Sequence, residues 1–166
     1  MRRKLIFLAA IVILIAGCAT SVKPSGGNYS ESIPTSDQAK LVLYRTGGTL
    51  LKLETPLVLL DGKGIGTLPD GGFLEIETSP GVHVFEIRKY EEKVWRFKPY
   101  NFKVSMQGGT TQFIELDITS LSGGWILPLP FVTMAKTESK FELKKRTYGE
   151  AAESLAKLKK TLPSDR

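Results

Sequence analysis

LLDGKGIGTLPDGG, residues 59–72, holds five glycines and one lysine in fourteen positions. Two readings compete: a phosphate-binding loop, and with it a nucleotide enzyme, or the turns of a β-sheet. A phosphate loop needs a helix directly after it, because the N–H groups of the first helical turn hold the anion. Here Gly62, Gly64 and Gly66 are followed by Thr67-Leu68-Pro69-Asp70-Gly71-Gly72, which cannot start a long helix. Neither the G-x-x-x-x-G-K-[ST] nor the G-x-G-x-x-G spacing is met. Asp61-Gly62 after the apolar run PLVLL (56–60) is instead a hairpin signal, since glycine reaches positive φ without a Cβ clash. The stretch reads as turns in a sheet.

Working outward from it, apolar residues alternate with polar ones. Leu74 and Ile76 oppose Phe73, Glu75 and Glu77, while Gln112, Ile114, Leu116 and Ile118 oppose Thr111, Phe113, Glu115 and Asp117. Period two predicts strands with one buried face. PLVLL is continuously apolar and reads as a more central strand, and 39–45, 82–90, 94–106 and 132–143 complete the set. DGKG, PDGG, SPG, EEK and QGG mark turns between them. In VWRFKPYNFKVSM (94–106) the aromatic phase changes from odd to even at Pro99, which predicts a bulge or break near Lys98 to Tyr100. The expected fold is all-β: a small β-sandwich of seven or eight mostly antiparallel strands over residues 39–145. That length is enough for one core without disulfides.

The run from Val58 to Ile87 resembles PEGA-type envelope domains and, more closely, a family of bacterial lipoprotein-associated domains of unknown function. The carriers are Asp61, Gly62, Lys63, Gly66, Gly72, Pro80, Gly81 and His83, with LVLYR (41–45) and GGTTQFIEL (108–116) similar to the second family. Residues 90–99 and the GGWILPLPF loop depart from the pattern. The resemblance implies a small sandwich on the cell envelope and supplies no catalytic residues.

The N-terminus points to the same compartment. Arg2, Arg3 and Lys4 precede twelve wholly apolar residues, Leu5 to Ala16, which as a helix would span about 18 Å, short of the ~30 Å hydrocarbon layer. This is an export signal over residues 1–17. Ile15-Ala16-Gly17-Cys18 resembles the bacterial lipobox, and Cys18 is the single cysteine, so no internal disulfide can form. The resemblance implies a diacylglyceryl group on the Cys18 sulfur, cleavage before it, and acylation of the new amine by a chain such as palmitate. Two or three chains hold firmly where one holds only marginally. Ala19 after the cysteine favours the outer membrane if the source has two membranes. Removing the signal takes three of the 23 basic residues and leaves 20 against 17 acidic ones, net +3, too mild to indicate nucleic acid. Residues 18–38, rich in Ser, Gly and Pro, read as a lipidated flexible tether with a coil reach of roughly 25 Å.

Residues 146–166 read as a short amphipathic helix and tail. Thr147-Tyr148-Gly149-Glu150 spells a capping box, Ala151, Leu155, Leu158 and Leu162 share one face, and Pro163 ends it. Such a helix covers a sheet edge or face, or meets a membrane surface or partner. In SGGWILPLPF (122–131), Trp125, Ile126, Leu127, Leu129 and Phe131 with prolines at 128 and 130 cannot pair continuously in a sheet. The run either folds over an open end of the sandwich or forms an apolar patch for a partner or lipid.

Catalytic chemistry is thinly represented. His83 is the single histidine, suited to closing a strand end, and no second His or Cys ligand completes a zinc site. Glu75 and Glu77 share a strand face while Asp61 and Asp70 flank turns; paired acids suit glycosidase work, or else form a solvated face and ordinary turns. Calcium at the turns lacks EF-hand spacing. The expectation is therefore a lipid-anchored, non-catalytic module without cofactor or metal, attached to the membrane through Cys18 and binding an envelope protein or other component. The alternatives are a carboxylate-dependent hydrolase of an envelope polymer and a purely structural lipoprotein.

Overall fold

The computed structural model describes residues 24–47, 55–90, 98–121 and 138–161. Two sheets stack as a β-sandwich. In chain order the strands are β1 (Ala39–Tyr44), β2 (Pro56–Leu60), β3 (Lys63–Thr67), β4 (Gly72–Thr78), β5 (Gly81–Lys89), β6 (Tyr100–Met106), β7 (Thr111–Leu121) and β8 (Glu138–Arg146). They are followed by helix α1 (Tyr148–Leu155) and the two-residue β9 (Lys159–Lys160). One sheet runs β8-β7-β1-β4-β9 and the other β3-β2-β5-β6. Pairing is antiparallel except between β1 and β7 and between β4 and β9.

The glycine-rich stretch folds as the hairpin β2–β3. Asp61 (φ 48°) and Gly62 (φ 83°) both take the left-handed conformations that a two-residue hairpin turn needs. One point differs from the expectation of turns alone: Lys63–Thr67 is itself a strand, with a register shift opposite Val58 and Leu59 where Gly66 adopts φ 153°. Together with β9 this raises the strand count among the described residues to nine. Strand β6 begins at Tyr100, directly after Pro99; the preceding half of the expected strand, up to Phe97, lies outside the described residues.

Leu41 and Leu43 on β1, Leu74 and Ile76 on β4, Val58, Phe85, Ile87, Val104, Ile114 and Leu116 fill the space between the sheets. The other face of the five-stranded sheet is also dry, which period two did not predict. Val42, Tyr44, Phe73 and Phe113 form a second cluster with Ala151, Leu155 and Leu158, so β1 is buried on both faces. Helix α1 covers that face. Its capping box is formed: the Glu150 carboxylate accepts from the Thr147 N–H at 2.8 Å, and the Thr147 hydroxyl accepts from the Glu150 N–H at 3.4 Å.

Two expectations need correction. The helix stops at Leu155, because the chain exchanges helical bonds for sheet bonds on the edge of β4: Lys159 N–H donates to Gly71 O and Thr161 N–H to Phe73 O. Leu158 still reaches the apolar cluster, while Leu162 and Pro163 lie outside the described residues. Nor is residues 24–38 a free tether. Gly26 N–H donates to Lys160 O at 2.8 Å and Lys160 N–H to Gly27 O at 2.9 Å. The Tyr29 ring meets Phe73 and Phe113 edge-on at 5.9 and 6.1 Å. A polar composition predicts solvation, but one aromatic ring and two glycines suffice to seat the segment. A Cβ on Gly26 would lie 2.5 Å from the Lys160 carbonyl oxygen, so this approach requires glycine.

Candidate functional site

Cys18 lies outside the described residues, as do Trp125, Ile126, Leu127, Leu129 and Phe131. The remaining sequence-derived candidates are the four carboxylates and His83, and the structure separates them.

Glu75 and Glu77 lie on the covered outer face of the five-stranded sheet, each joined to a lysine. Glu75 pairs with Lys160 of β9, and Glu77 lies 3.2 Å from the nearly buried Lys40 ammonium, which also contacts Ser32. The same face carries Glu115 with Arg146 at 2.9 Å and Asp117 with Lys144 at 2.9 Å. These acids alternate with cations across neighbouring strands, the arrangement that stabilises strand pairing. Asp70 stands 3.7 Å from Arg45, a guanidinium buried at the end of β1, where Arg45 N–H also donates to Gly72 O. The four carboxylates are thus dispersed among separate structural pairs and do not converge on one space. Among the described residues no three His, Cys, Asp or Glu side chains gather as a metal-binding group.

His83 and Asp61 do come together. Nδ1 of His83 lies 2.7 Å from Asp61 Oδ2 and Nε2 lies 2.9 Å from the Ser79 carbonyl oxygen. Both partners are acceptors, so the arrangement selects the doubly protonated ring. The hydrogen bond to Asp61, and then that to Ser79, raise the His83 pKa above its ordinary value. In return the His83 hydrogen bond, with the Val84 N–H, lowers that of Asp61. Thr78 Oγ1 is 3.5 Å from Nε2, yet the Ser79 carbonyl occupies that nitrogen. The ring is a clamp between the β2–β3 turn and the β4–β5 turn, with no free base to activate the hydroxyl. This gives a physical reason for the D-G-K and P-G-x-H signatures to occur together.

The sandwich opens on the opposite side from β9. Between β6, the edge of the four-stranded sheet, and β7–β8 lies a cleft of about 280 Å³. Phe102, Val104, Ile114 and Leu143 form its apolar walls, and Gln112 Nε2 donates across it to Ser105 O at 2.6 Å. Lys103 and Lys145 line it as well, both exposed and neither paired with a carboxylate among the described residues. The neighbours of Lys145, Lys144 and Arg146, are both paired. Lys145 stands opposite Ile114 on β7, in the phase of Leu143 and Phe141, which directs it toward the space between the sheets. The sequence carried one trace of this: in FELKKR (141–146) the inward phase of β8 runs Phe, Leu, Lys. That β6 faces this phase follows from the fold alone.

A family model described as protein of unknown function (DUF2846) matches residues 35–125, more than half of the chain, taking in β1 to β7. No curated protein and no solved structure matches the chain.

Proposed function

The chain belongs to the DUF2846 family, and from that premise we propose that it is a lipid-anchored, non-catalytic envelope module that binds an extended protein segment in the cleft between β6 and β8. The cleft carries this reading: apolar walls with Lys145 directed between the sheets and Lys103 at the rim, neither lysine with a counter-charge and neither strand with its outer edge paired among the described residues. Its volume falls just below the ~300 Å³ where small-molecule pockets begin. It suits one or two apolar side chains of a strand-like segment whose alternate residues are acidic, the mode in which backbone pairing gives affinity and side-chain pockets give specificity. The export signal and the lipobox-like Ile15-Ala16-Gly17-Cys18 support the anchor, and the likeness to PEGA-type domains belongs to the same reading. The dispersal of Glu75, Glu77, Asp61 and Asp70 into separate pairs weighs against the hydrolase.

The anchor is tested by Cys18→Ser. Release from the membrane fraction, with loss of the lipid mass, is expected; retention refutes it. The cleft is tested with a synthetic peptide of alternating leucine and glutamate against its leucine–lysine counterpart, read by methyl NMR. Shifts at Ile114, Val104 and Leu143 are expected with the acidic peptide alone, and they should vanish in Lys103→Glu/Lys145→Glu. Equal responses to the two peptides, or undisturbed methyls, refute the site.

A further inference from the structure

The segment between the proposed lipid site and β1 does not hang free; it is fastened along the outer face of the five-stranded sheet. Gly26 and Gly27 bond to Lys160, Asn28 Oδ1 accepts from Lys159, and Tyr29 sits on Phe73 and Phe113. Ser32 meets Lys40, and Gly109 N–H bonds to the Thr35 and Gln38 carbonyls. Among the described residues the first of these bonds is at Gly26, beside β9, and only eight Cα–Cα steps separate it from Cys18. Fully extended they span at most about 28 Å. A chain free as far as Ala39 would reach about 25 Å as a coil and about 70 Å extended.

Resting on the lipid-anchor reading, we infer that the edge built by β9 and Gly26–Gly27 faces the bilayer, and that the fastened segment sets the distance between them. The lipid surface is the partner of this edge. Charge contributes little to the orientation: Lys157 is paired with Glu153, Lys160 with Glu75, and Lys159 is bonded to Asn28. The short leash does the work. In the order β8-β7-β1-β4-β9 the edge opposite the leash is β8, so the cleft is presented away from the membrane toward an extended segment of a protein in the adjoining compartment.

The test uses the full lipidated chain in phosphatidylethanolamine–phosphatidylglycerol vesicles bearing an acceptor dye on the head groups. With Cys18 acylated, a single introduced thiol takes the donor, either at Lys157→Cys beside β9 or at Glu142→Cys on β8. Four strand spacings put β8 about 19 Å further out than β9. Transfer to a plane of acceptors falls with the fourth power of distance, so the donor beside β9 should transfer roughly tenfold more efficiently. A Gly/Ser insertion after Ser25 lengthens the leash without touching the fastened segment, and should shrink that ratio severalfold. Equal transfer from the two positions in lipidated, vesicle-bound protein overturns this inference and leaves the anchor intact. Collapse of the ratio in high salt overturns it in favour of charge. A mass without lipid and no vesicle binding overturns the anchor, and this orientation with it.

Discussion

Tyr29 tests whether the segment before β1 is part of the fold, and two substitutions with opposite expected signs make the test sharp. Its ring lies edge-on to Phe73 (80° between planes) and to Phe113 (79°), while its hydroxyl is buried without a hydrogen-bond partner. Burial first, and then the negative charge of Glu75, push its pKa up to about 12. Tyr29→Phe keeps the ring contacts and removes the unpaired hydroxyl, whose desolvation costs about 1 kcal/mol at the low end of the usual range. It should leave stability unchanged or raise it by up to about 1 kcal/mol. Tyr29→Ala removes both edge contacts, about 0.5–1.5 kcal/mol each, and part of the apolar burial. Full burial would make that about 3–5 kcal/mol, so a half-buried ring should cost about 2–3 kcal/mol. Urea unfolding at constant m reads both values. A third arm uses pH. Between about pH 10 and 12 the unfolded chain releases the Tyr29 proton while the folded chain keeps it, so stability falls as pH rises through this window. Tyr44, also raised to about 12 chiefly by burial, contributes in the same direction. Tyr29→Phe should therefore reduce the alkaline loss without abolishing it. A Tyr29→Ala protein within about half a kcal/mol of the parent would refute the fastened segment, since its central packing contact would then carry no energy. A Tyr29→Phe protein as weakened as Tyr29→Ala would show that the hydroxyl has a partner.

The His83 clamp has a two-sided pH signature. A raised histidine pKa gives stability that is complete below the ordinary value near 6.5 and lost as pH rises through the folded value; the lowered Asp61 pKa gives stability present above about 3.9 and lost as pH falls. Asp61→Asn tolerates φ 48° and removes the charge, so the His83 ring titration by NMR should move back toward 6.5 and the neutral-to-alkaline loss of stability should flatten; an unmoved titration refutes the pairing. Glu77→Ala leaves the buried Lys40 ammonium with only Ser32 among the described side chains and should cost about 1–2 kcal/mol in urea unfolding, below the usual cost of breaking a buried pair because Glu77 is itself half exposed. Adding Lys40→Met should recover most of that loss, and failure to recover it would show that Lys40 contributes something besides the pair.

The hairpin was legible because Asp61-Gly62 fixes its own conformation within two residues. The capping box at Thr147 and Glu150 was legible for the same local reason. What period two cannot say is whether the second face of a strand is dry. Phe73 and Phe113 fall in the solvent phase of their strands, and they are buried because Ala151, Leu155 and Leu158 arrive from the far end of the chain. Two of those three lie on α1, whose apolar face was visible in the sequence, but its target was not. The tether was misread by composition: in Ser25 to Ser36 the one aromatic ring, Tyr29, outweighs its polar neighbours because it meets two rings already in place. Of the candidate site, the pairing of Asp61 with His83 joins residues 22 positions apart in sequence and required the register of β2 against β5 to be seen. The cleft required still more, since it is made where β6 and β8 end two different sheets.

The segments before β1 and after β8 close the same face of the same sheet, and this constrains where a ligand could be met. The outer face of the five-stranded sheet carries the densest array of carboxylates, which taken alone would suggest a catalytic or cation-binding surface. Yet Glu75 and Glu77 are each paired with a lysine, one supplied by the C-terminal β9 and the other beside Ser32 of the N-terminal segment. Opening that face to a substrate would expose Phe73 and Phe113 and leave the nearly buried Lys40 without its shelter, so recognition there would compete with folding itself. Recognition at the β6–β8 edge carries no such conflict, because its strand edges and lysines are unsatisfied within the described fold. Under the proposed function, the second surface allows binding without unfolding. The acids that first suggest chemistry thus hold the segments before β1 and after α1, and the cleft, not this face, is the proposed place for a partner.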